Sequence, residues 1–223
     1  MLERIICLLI GYILGNFQTA YIYGKMKGID IREHGSGNAG TTNTLRVLGN
    51  KAGAIVFAGD VLKCALAIWI CKALYGASHP EMLAVLTLYA ALGTILGHNF
   101  PALLGFKGGK GMACTAGFMA FYNPWLLLVG GSMFIITFMI THYVSLGSLL
   151  IYIGVVITMA ILCMTGALGV LTTAQIAEIM IITIFMAVMA YVRHWANIKR
   201  LMAGKESKTY LSKKGKEKAA AAK

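Results

Sequence analysis

The stretch M-A-C-T-A-G-F-M-A-F-Y, residues 112–122, decides how this chain is folded. It is apolar, yet well short of the roughly 20 residues that a bilayer crossing needs. A glycine-rich loop precedes it and Pro124 follows it. Six longer apolar stretches surround it, near 4–24, 52–72, 82–98, 125–141, 146–164 and 175–192. Whether 112–122 also crosses determines the side on which the chain ends.

The placement of charge sets the count. The first loop carries Lys25, Lys27, Arg32, Arg46 and Lys51, and the tail beyond Arg193 carries Lys205, Lys208, Lys213, Lys214, Lys216 and Lys218. The segment near 73–81 has only Glu81 beyond its flanking Lys72, and the segment near 165–174 has no charge. Loops rich in Lys and Arg stay in the cytoplasm. An N-terminus outside and a C-terminus inside need an odd number of crossings, so 112–122 counts as a short seventh, helped by tilt or by its neighbours. The expected fold is an all-α integral membrane protein of about seven transmembrane helices, N-terminus outside and C-terminus cytoplasmic. Residues 1–206 form one polytopic domain in this reading, and 207–223 a basic, flexible cytoplasmic tail.

Composition agrees. The chain is 58% hydrophobic and 13% charged, where soluble domains carry about a quarter charged residues, so water is not the solvent for most of its surface. The net charge of +12 fits a flank touching anionic headgroups; no soluble domain exists to read a nucleic acid. Cys7, Cys64, Cys71, Cys114 and Cys163 lie in or at the ends of apolar stretches with no C-x-x-C, and read as small packing residues. The N-terminal apolar run lacks a small-residue cleavage site and reads as a retained span.

Seven crossings bring four polar segments, 25–51, 98–111, 142–145 and 193–223, to the cytoplasmic face. The first holds G-S-G-N-A-G-T-T-N-T-L-R, residues 35–46. Its glycines let backbone N–H groups converge on an anion, Ser36, Thr41, Thr42 and Asn43 add polar side chains, and Arg46 suits a phosphate bidentately. The bland reading is a flexible loop with a helix cap at Thr41 or Thr42. The second holds G-H-N-F-P-A-L-L-G-F-K-G-G-K-G-M-A, residues 97–113, with Lys110 among Gly108, Gly109 and Gly111 and Lys107 just before. No Ser or Thr follows Lys110, so it is not a Walker A loop and implies no nucleotide. The third is R-H-W-A-N-I-K-R-L, residues 193–201, where a helix would put His194 and Asn197 on one face. Ser145 lies at the cytoplasmic end of another span. Asp60 and Lys63 lie one helical turn apart inside the second span and read as a mutual pair holding helices together. Glu178, near the outer end of the last span, is given no chemistry.

None of the five histidines has an aspartate five residues on, so the H-x4-D arrangement is absent, as is G-x-S-x-G. The eight acids are scattered and suggest no metal. A site rich in cations and N–H donors, poor in acids and open to lipid suits two phosphate-bearing substrates, one with an apolar chain.

These motifs, in this order, resemble the acyl-phosphate-dependent glycerol-3-phosphate acyltransferases, the bacterial PlsY family. The resemblance runs from the first span through Glu206, and G-D-V-L-K at 59–63 and Y-V-S-L-G-S at 143–148 also fit. Ala39, where proline is common, is a mild departure. The resemblance implies transfer of a fatty acyl group from acyl phosphate to the 1-hydroxyl of glycerol 3-phosphate, with no cofactor and no metal. Gly108, Gly109 and Gly111 would hold the acyl phosphate. Ser36, Arg46, Lys110, His194 and Asn197 would form the reacting centre, with Ser145 as a phosphate contact. Gly37, Asn38, Thr42, Asn43, His98 and Lys107 complete the expected substrate-binding set. A monomer in the bacterial inner membrane is expected, functionally linked to a soluble enzyme that makes acyl phosphate. The rival is a small-anion transporter, which predicts inverted repeats; a structural subunit with a headgroup-binding face would not need the motif glycines.

Overall fold

The structure is a computed structural model and describes residues 1–210. These residues form ten α-helices: α1 (Leu2–Gly15), α2 (Thr19–Met26), α3 (Thr41–Leu48), α4 (Asn50–Tyr75), α5 (Leu83–Asn99), α6 (Met112–Tyr122), α7 (Pro124–Thr141), α8 (Val144–Met164), α9 (Thr173–Arg193) and α10 (Trp195–Met202). Among the described residues there is no strand. Six segments of the described residues are long and apolar enough to cross a membrane: Leu2–Met26, Asn50–Tyr75, Pro80–Leu104, Pro124–Thr141, Val144–Met164 and Thr173–Arg193; Met112–Tyr122 is shorter. Large apolar side chains point outward, Trp69 71% exposed and Ile140 75%, as they do where the outer solvent is lipid rather than water.

The first span is not the continuous helix that its hydropathy suggests. It breaks between α1 and α2, and three helix ends meet at that level: the C-terminus of α1, the C-terminus of α5 and the N-terminus of α6. Helix ends inside a bilayer leave unpaired carbonyls, tolerable only where protein or a watery cavity satisfies them. Here Gln18 Nε2 donates to Gly15 O (3.0 Å) and His98 O (3.1 Å). Lys63 Nζ donates to Phe17 O (2.7 Å) and Gly15 O (3.3 Å).

Close helix contact makes this layer rigid. Helices α1 and α5 carry G-Y-I-L-G (11–15) and G-T-I-L-G (93–97), small residues four apart that let backbones approach. An added Cβ at Gly11 would lie 2.1 Å from Ala90 O, and one at Gly93 would lie 2.1 Å from Leu8 O. The main core lies between α4, α5, α6, α8 and α9, with Phe118, Tyr152 and Met186 fully buried. At the far end a bidentate pair joins α1 to α9: Arg4 Nε and Nη2 lie 2.6 and 2.8 Å from the Glu178 carboxylate oxygens, and Tyr89 OH donates to Glu178 Oε1 at 2.8 Å.

The length of α6 has a structural cause. Gly117 packs on Val61 and Cys64 of α4, and Phe121 O accepts from Lys72 Nζ. Helix α6 therefore runs beside the second half of α4. Its start is level with Asp60, ten residues into α4, or roughly 15 Å at 1.5 Å per residue. The loop before α6 descends to that depth and leaves a cleft above it.

Candidate active site

The cleft has a volume of about 1250 Å³. Four helices begin at its wall: α3 at Gly40–Thr42, α6 at Gly111–Ala113, α8 at Val144–Ser145 and α10 at His194–Asn197. None of the four has a side-chain cap. Helices α7 and α9, which begin at the opposite end, are capped by Asn123 and by Thr172 with Gln175. The uncapped N-termini of α3, α6 and α8, aimed at one space, present free N–H groups and the positive ends of three helix dipoles, the condition for binding an anion. Helix α10 instead continues α9 through His194, where the backbone N–H groups already donate to α9 carbonyls.

The second motif folds as a clamp. Gly109 N donates to His98 O at 3.0 Å, seating the loop on the end of α5. Arg193, stacked over Phe100 at 5.2 Å, donates to Gly109 O from Nη2 and Nε (2.7 and 3.2 Å) and to Gly108 O from Nη2 (3.1 Å). With Gly109 O turned to Arg193, the Lys110 N–H points to the other side of the same planar peptide. A Cβ at Gly109 would lie 2.1 Å from His98 Nε2 and 2.7 Å from Ala39 O, so both glycine-rich loops pack at a distance only glycine allows. Gly111 adopts φ +79°, the left-handed turn that starts α6. Lys110 reaches across the cleft and donates from Nζ to Asn197 Oδ1. Its burial, and next the nearby Arg200 charge, push its pKa down to about 8.

The first motif is held by Asn43. Its Oδ1 accepts from Ser36 N (2.8 Å), and its Nδ2 donates to His34 O (2.9 Å) and Ile31 O (3.0 Å). Asn43 thus spends its amide shaping the loop. Ser36, Gly37, Asn38, Thr42 and Arg46 line the cleft, and the Ser36 and Arg46 side chains make no hydrogen bond among the described residues. The Thr41 hydroxyl is buried without a partner. Lys107 and Gly108 also line the cleft, and His98 lies in its floor, 3% exposed.

The third motif enters through α10. His194 is its N-cap residue, 3% exposed, with Nδ1 2.8 Å from Ala190 O. A carbonyl only accepts, so Nδ1 carries the proton and Nε2 keeps its lone pair. Burial, then the Lys110 charge, lowers the His194 pKa to about 4, so the ring is neutral near pH 7. Asn197 and Ser145 meet at a residue that the motif reading did not place in the site. Glu206 Oε1 accepts from Asn197 Nδ2 (2.6 Å) and Ser145 Oγ (2.8 Å), and Oε2 accepts from Arg200 Nε (2.6 Å). Burial works against the Glu206 charge, but these three bonds outweigh it and hold the carboxyl below its usual pKa. The only signal in the sequence was an acid, one of two with Glu217, among the cations of the tail. The segment after it does not leave the body at 206: Thr209 N donates to His142 O (2.9 Å) and the Tyr210 ring packs 4.7 Å from that of His142. Residues 211–223 of the expected flexible tail lie outside the described residues.

The expected Asp60–Lys63 pair is present at 2.8 Å and extends to His98, whose Nδ1 is 2.9 Å from Lys63 Nζ. Asp60, His98 and Cys114 form the one group with metal-like spacing among the described residues, but the Lys63 ammonium already supplies a cation to two of them. Glu178, given no chemistry, carries the far-end ion pair. Past the polar head the cleft becomes apolar, lined by Phe57, Met119, Leu127, Phe134, Ile135 and Ile151. Gly131 widens it, since a Cβ there would meet only Leu127 at 3.7 Å.

Broken helices, three open N-termini, clustered cations and an apolar extension define a class: a polytopic membrane protein with a cleft whose chemistry suits a phosphate-bearing amphiphile. The family model described as glycerol-3-phosphate acyltransferase matches residues 5–204. The chain is 41% identical over 206 residues to the glycerol-3-phosphate acyltransferase of Clostridioides difficile (strain 630), covering 92% of this chain and 94% of that protein. It is 40% identical over 202 residues to that of Bacillus subtilis (strain 168), covering 90% and 95%. Its fold matches the crystal structure of PlsY, an integral membrane glycerol 3-phosphate acyltransferase, in its glycerol 3-phosphate form. The TM-score is 0.78 at 29% identity, over 93% of this chain and 96% of that one. The chain belongs to the glycerol-3-phosphate acyltransferase family.

Proposed function

We propose that this protein transfers a fatty acyl group from acyl phosphate to the 1-hydroxyl of sn-glycerol 3-phosphate, releasing lysophosphatidic acid and inorganic phosphate. The observation that carries the reading is the convergence of the three uncapped N-termini of α3, α6 and α8 and the Lys110 and Arg46 cations at the head of an apolar groove. The acyl chain lies in the groove between α6, α7 and α8, with its phosphate in the Gly108–Gly111 loop. Glycerol 3-phosphate enters beside Ser36, Arg46 and Asn197. Acyl phosphate is a mixed anhydride with a good leaving group, so the site needs charge neutralisation and alignment more than a strong base.

The hydroxyl oxygen attacks the carbonyl carbon, the bond from that carbon to the phosphate oxygen breaks, and phosphate leaves. His194 offers a neutral Nε2 lone pair to orient the hydroxyl. With its pKa near 4, the ring is a weak proton acceptor, which favours a substrate phosphate oxygen as the destination of the proton. Lys110 and the helix N-termini hold the charge on the departing phosphate. Relatives named glycerol-3-phosphate acyltransferase, and a PlsY structure in its lysophosphatidic acid form, support the reading.

The cleft end carries Arg46, Lys107, Lys110, Arg193, Lys199 and Arg200, while the far end carries Arg4, Lys72, Glu81 and Glu178. That bias supports a cytoplasmic cleft, N-terminus outside, in the inner membrane of a bacterium, with α6 completing a seventh crossing from the cleft floor. The protein acts as a monomer on acyl phosphate delivered by the soluble enzyme that makes it, at the first step of phospholipid synthesis. Proteoliposomes supplied with palmitoyl phosphate and labelled glycerol 3-phosphate separate this reading from the transporter. Label in lysophosphatidic acid supports acyl transfer; unchanged label crossing the bilayer with none in lipid overturns it.

A further inference from the structure

Two histidines reach the cleft with opposite tautomers. His194 gives its Nδ1 proton to Ala190 O and faces the cleft as an acceptor. His98 is the reverse. Its Nδ1 lies 2.9 Å from Lys63 Nζ, and an ammonium has donors only. Nδ1 therefore accepts, and the ring proton sits on Nε2. Charge balance requires the same: a protonated His98 would place two cations 2.9 Å apart against one carboxylate, that of Asp60. The Nε2 edge faces the glycine loop, where a Cβ on Gly109 would lie 2.1 Å from it. It makes no hydrogen bond among the described residues.

We infer that Lys63, oriented by Asp60, is a positioning residue that holds His98 as a neutral Nε2–H donor for the acyl phosphate's phosphate group in the Gly108–Gly111 loop. A buried ion pair at this depth is costly, and replacing such a pair by apolar groups is often neutral or stabilising. Pinning helix ends does not require it: Gln18, a neutral amide, donates to the same Gly15 carbonyl that Lys63 reaches. What a neutral side-chain amide or hydroxyl in place of Lys63 would not do is dictate the tautomer, because such a group can turn to donate or to accept. A lysine only donates, and Asp60, 2.8 Å from it, aims it and cancels its charge. The inference rests on the phosphate-site reading above.

The test is solid-state NMR of protein carrying 15N-histidine in bilayers, with 15N–31P recoupling to a non-hydrolysable acyl phosphonate and, separately, to glycerol 3-phosphate. His98 is expected to be neutral with Nε2 protonated and Nδ1 bare. It should stay so in Lys63→Arg and lose that uniform state in Lys63→Met. Nε2 is expected to couple to the phosphonate phosphorus and not to that of glycerol 3-phosphate. Losing this donor should cut kcat/KM for acyl phosphate by about 10- to 100-fold in Lys63→Met, the scale of a hydrogen bond to a charged group, with KM for glycerol 3-phosphate unchanged. An Nδ1-protonated His98 in the unmodified protein, or no coupling to the phosphonate, overturns the inference. If Lys63→Met does not fold, the unmodified protein and Lys63→Arg decide it. These spectra need no turnover: the expected tautomer and coupling in a protein that transfers no acyl group would sink the proposed function alone.

Discussion

Replacing Glu206 with glutamine changes one charge and almost no volume, at the point where three elements of the site meet. The carboxylate accepts from Ser145 Oγ at 2.8 Å, Asn197 Nδ2 at 2.6 Å and Arg200 Nε at 2.6 Å. The glutamine carbonyl keeps an acceptor for Asn197 and Ser145, but its NH2 then faces the Arg200 donor. A hydrogen bond to a charged group contributes about 1.5–3 kcal/mol. Arg200 is 44% exposed, so solvent screening discounts its share, and a total loss of about 2 kcal/mol is reasonable for the three contacts. The loss falls on catalysis because Asn197 spans Glu206 and Lys110: its Nδ2 donates to one while its Oδ1 accepts from the other. Without the carboxylate the amide is free to turn. At about 1.4 kcal/mol per tenfold, Glu206→Gln should lower kcat about 30-fold. The charge change adds a second signature. Glu206 raises the pKa of Lys110 against its burial, so the variant's alkaline limb should move to lower pH. The assay is initial-rate acyl transfer in detergent across pH, with thermal melting as the control for folding. Full kcat with an unmoved limb would refute the idea that Glu206 organises the site.

Three further outcomes are expected. Gly109→Ala should lower kcat/KM for acyl phosphate by about 100-fold or more, because its Cβ would lie 2.1 Å from His98 Nε2 and must shift the loop from its reactive position; full activity would show that the loop needs no such close approach. In the unmodified protein, kcat/KM should decline as pH rises through about 8, where Lys110 loses the charge proposed to bind phosphate; Lys110→Arg should carry that limb to higher pH, and an identical limb would assign it to another group. Gly93→Val should lower the melting temperature by forcing α1 away from α5, since even a Cβ would lie 2.1 Å from Leu8 O; overpacking of this kind costs about 1–3 kcal/mol, and an unchanged melting curve would contradict the close packing.

Much of the architecture was legible because lipid makes the hydrophobic signal a matter of run length. The six long apolar stretches reappear as spans, and residues 112–122 reappear as α6 with the same bounds. Hydropathy could not show why α6 is short, since that follows from the depth of the floor beside Asp60. Nor could it show the break between Gly15 and Thr19, because Asn16 and Gln18 are two polar residues in a long apolar run. The paired glycines of 11–15 and 93–97 stood outside the expectations drawn from the sequence, and the fold shows how closely they pack. In the site, motif glycines and cations pointed to the cleft, where Ser36, Arg46, Lys110, His194 and Asn197 converge. Residue type alone could not separate side chains that face the cleft from those that build it. Asn43 shapes its own loop, Arg193 clamps the next one, and Glu206 lies far along the chain from Ser145. Arg193 and the Glu206–Ser145 contact join segments distant in sequence, Asn43 closes its own loop back to Ile31 and His34, and residue type marks none of these.

The central claim is direct acyl transfer between two phosphate-bearing substrates. The most direct measurement uses purified protein, palmitoyl phosphate and labelled glycerol 3-phosphate, with a metal chelator present and CoA and carrier protein omitted. The account predicts lysophosphatidic acid and inorganic phosphate in equal amounts, abolished by Lys110→Ala in a protein that still folds. Phosphate release without labelled lipid, or lipid formed only when an acyl thioester is supplied, would contradict it.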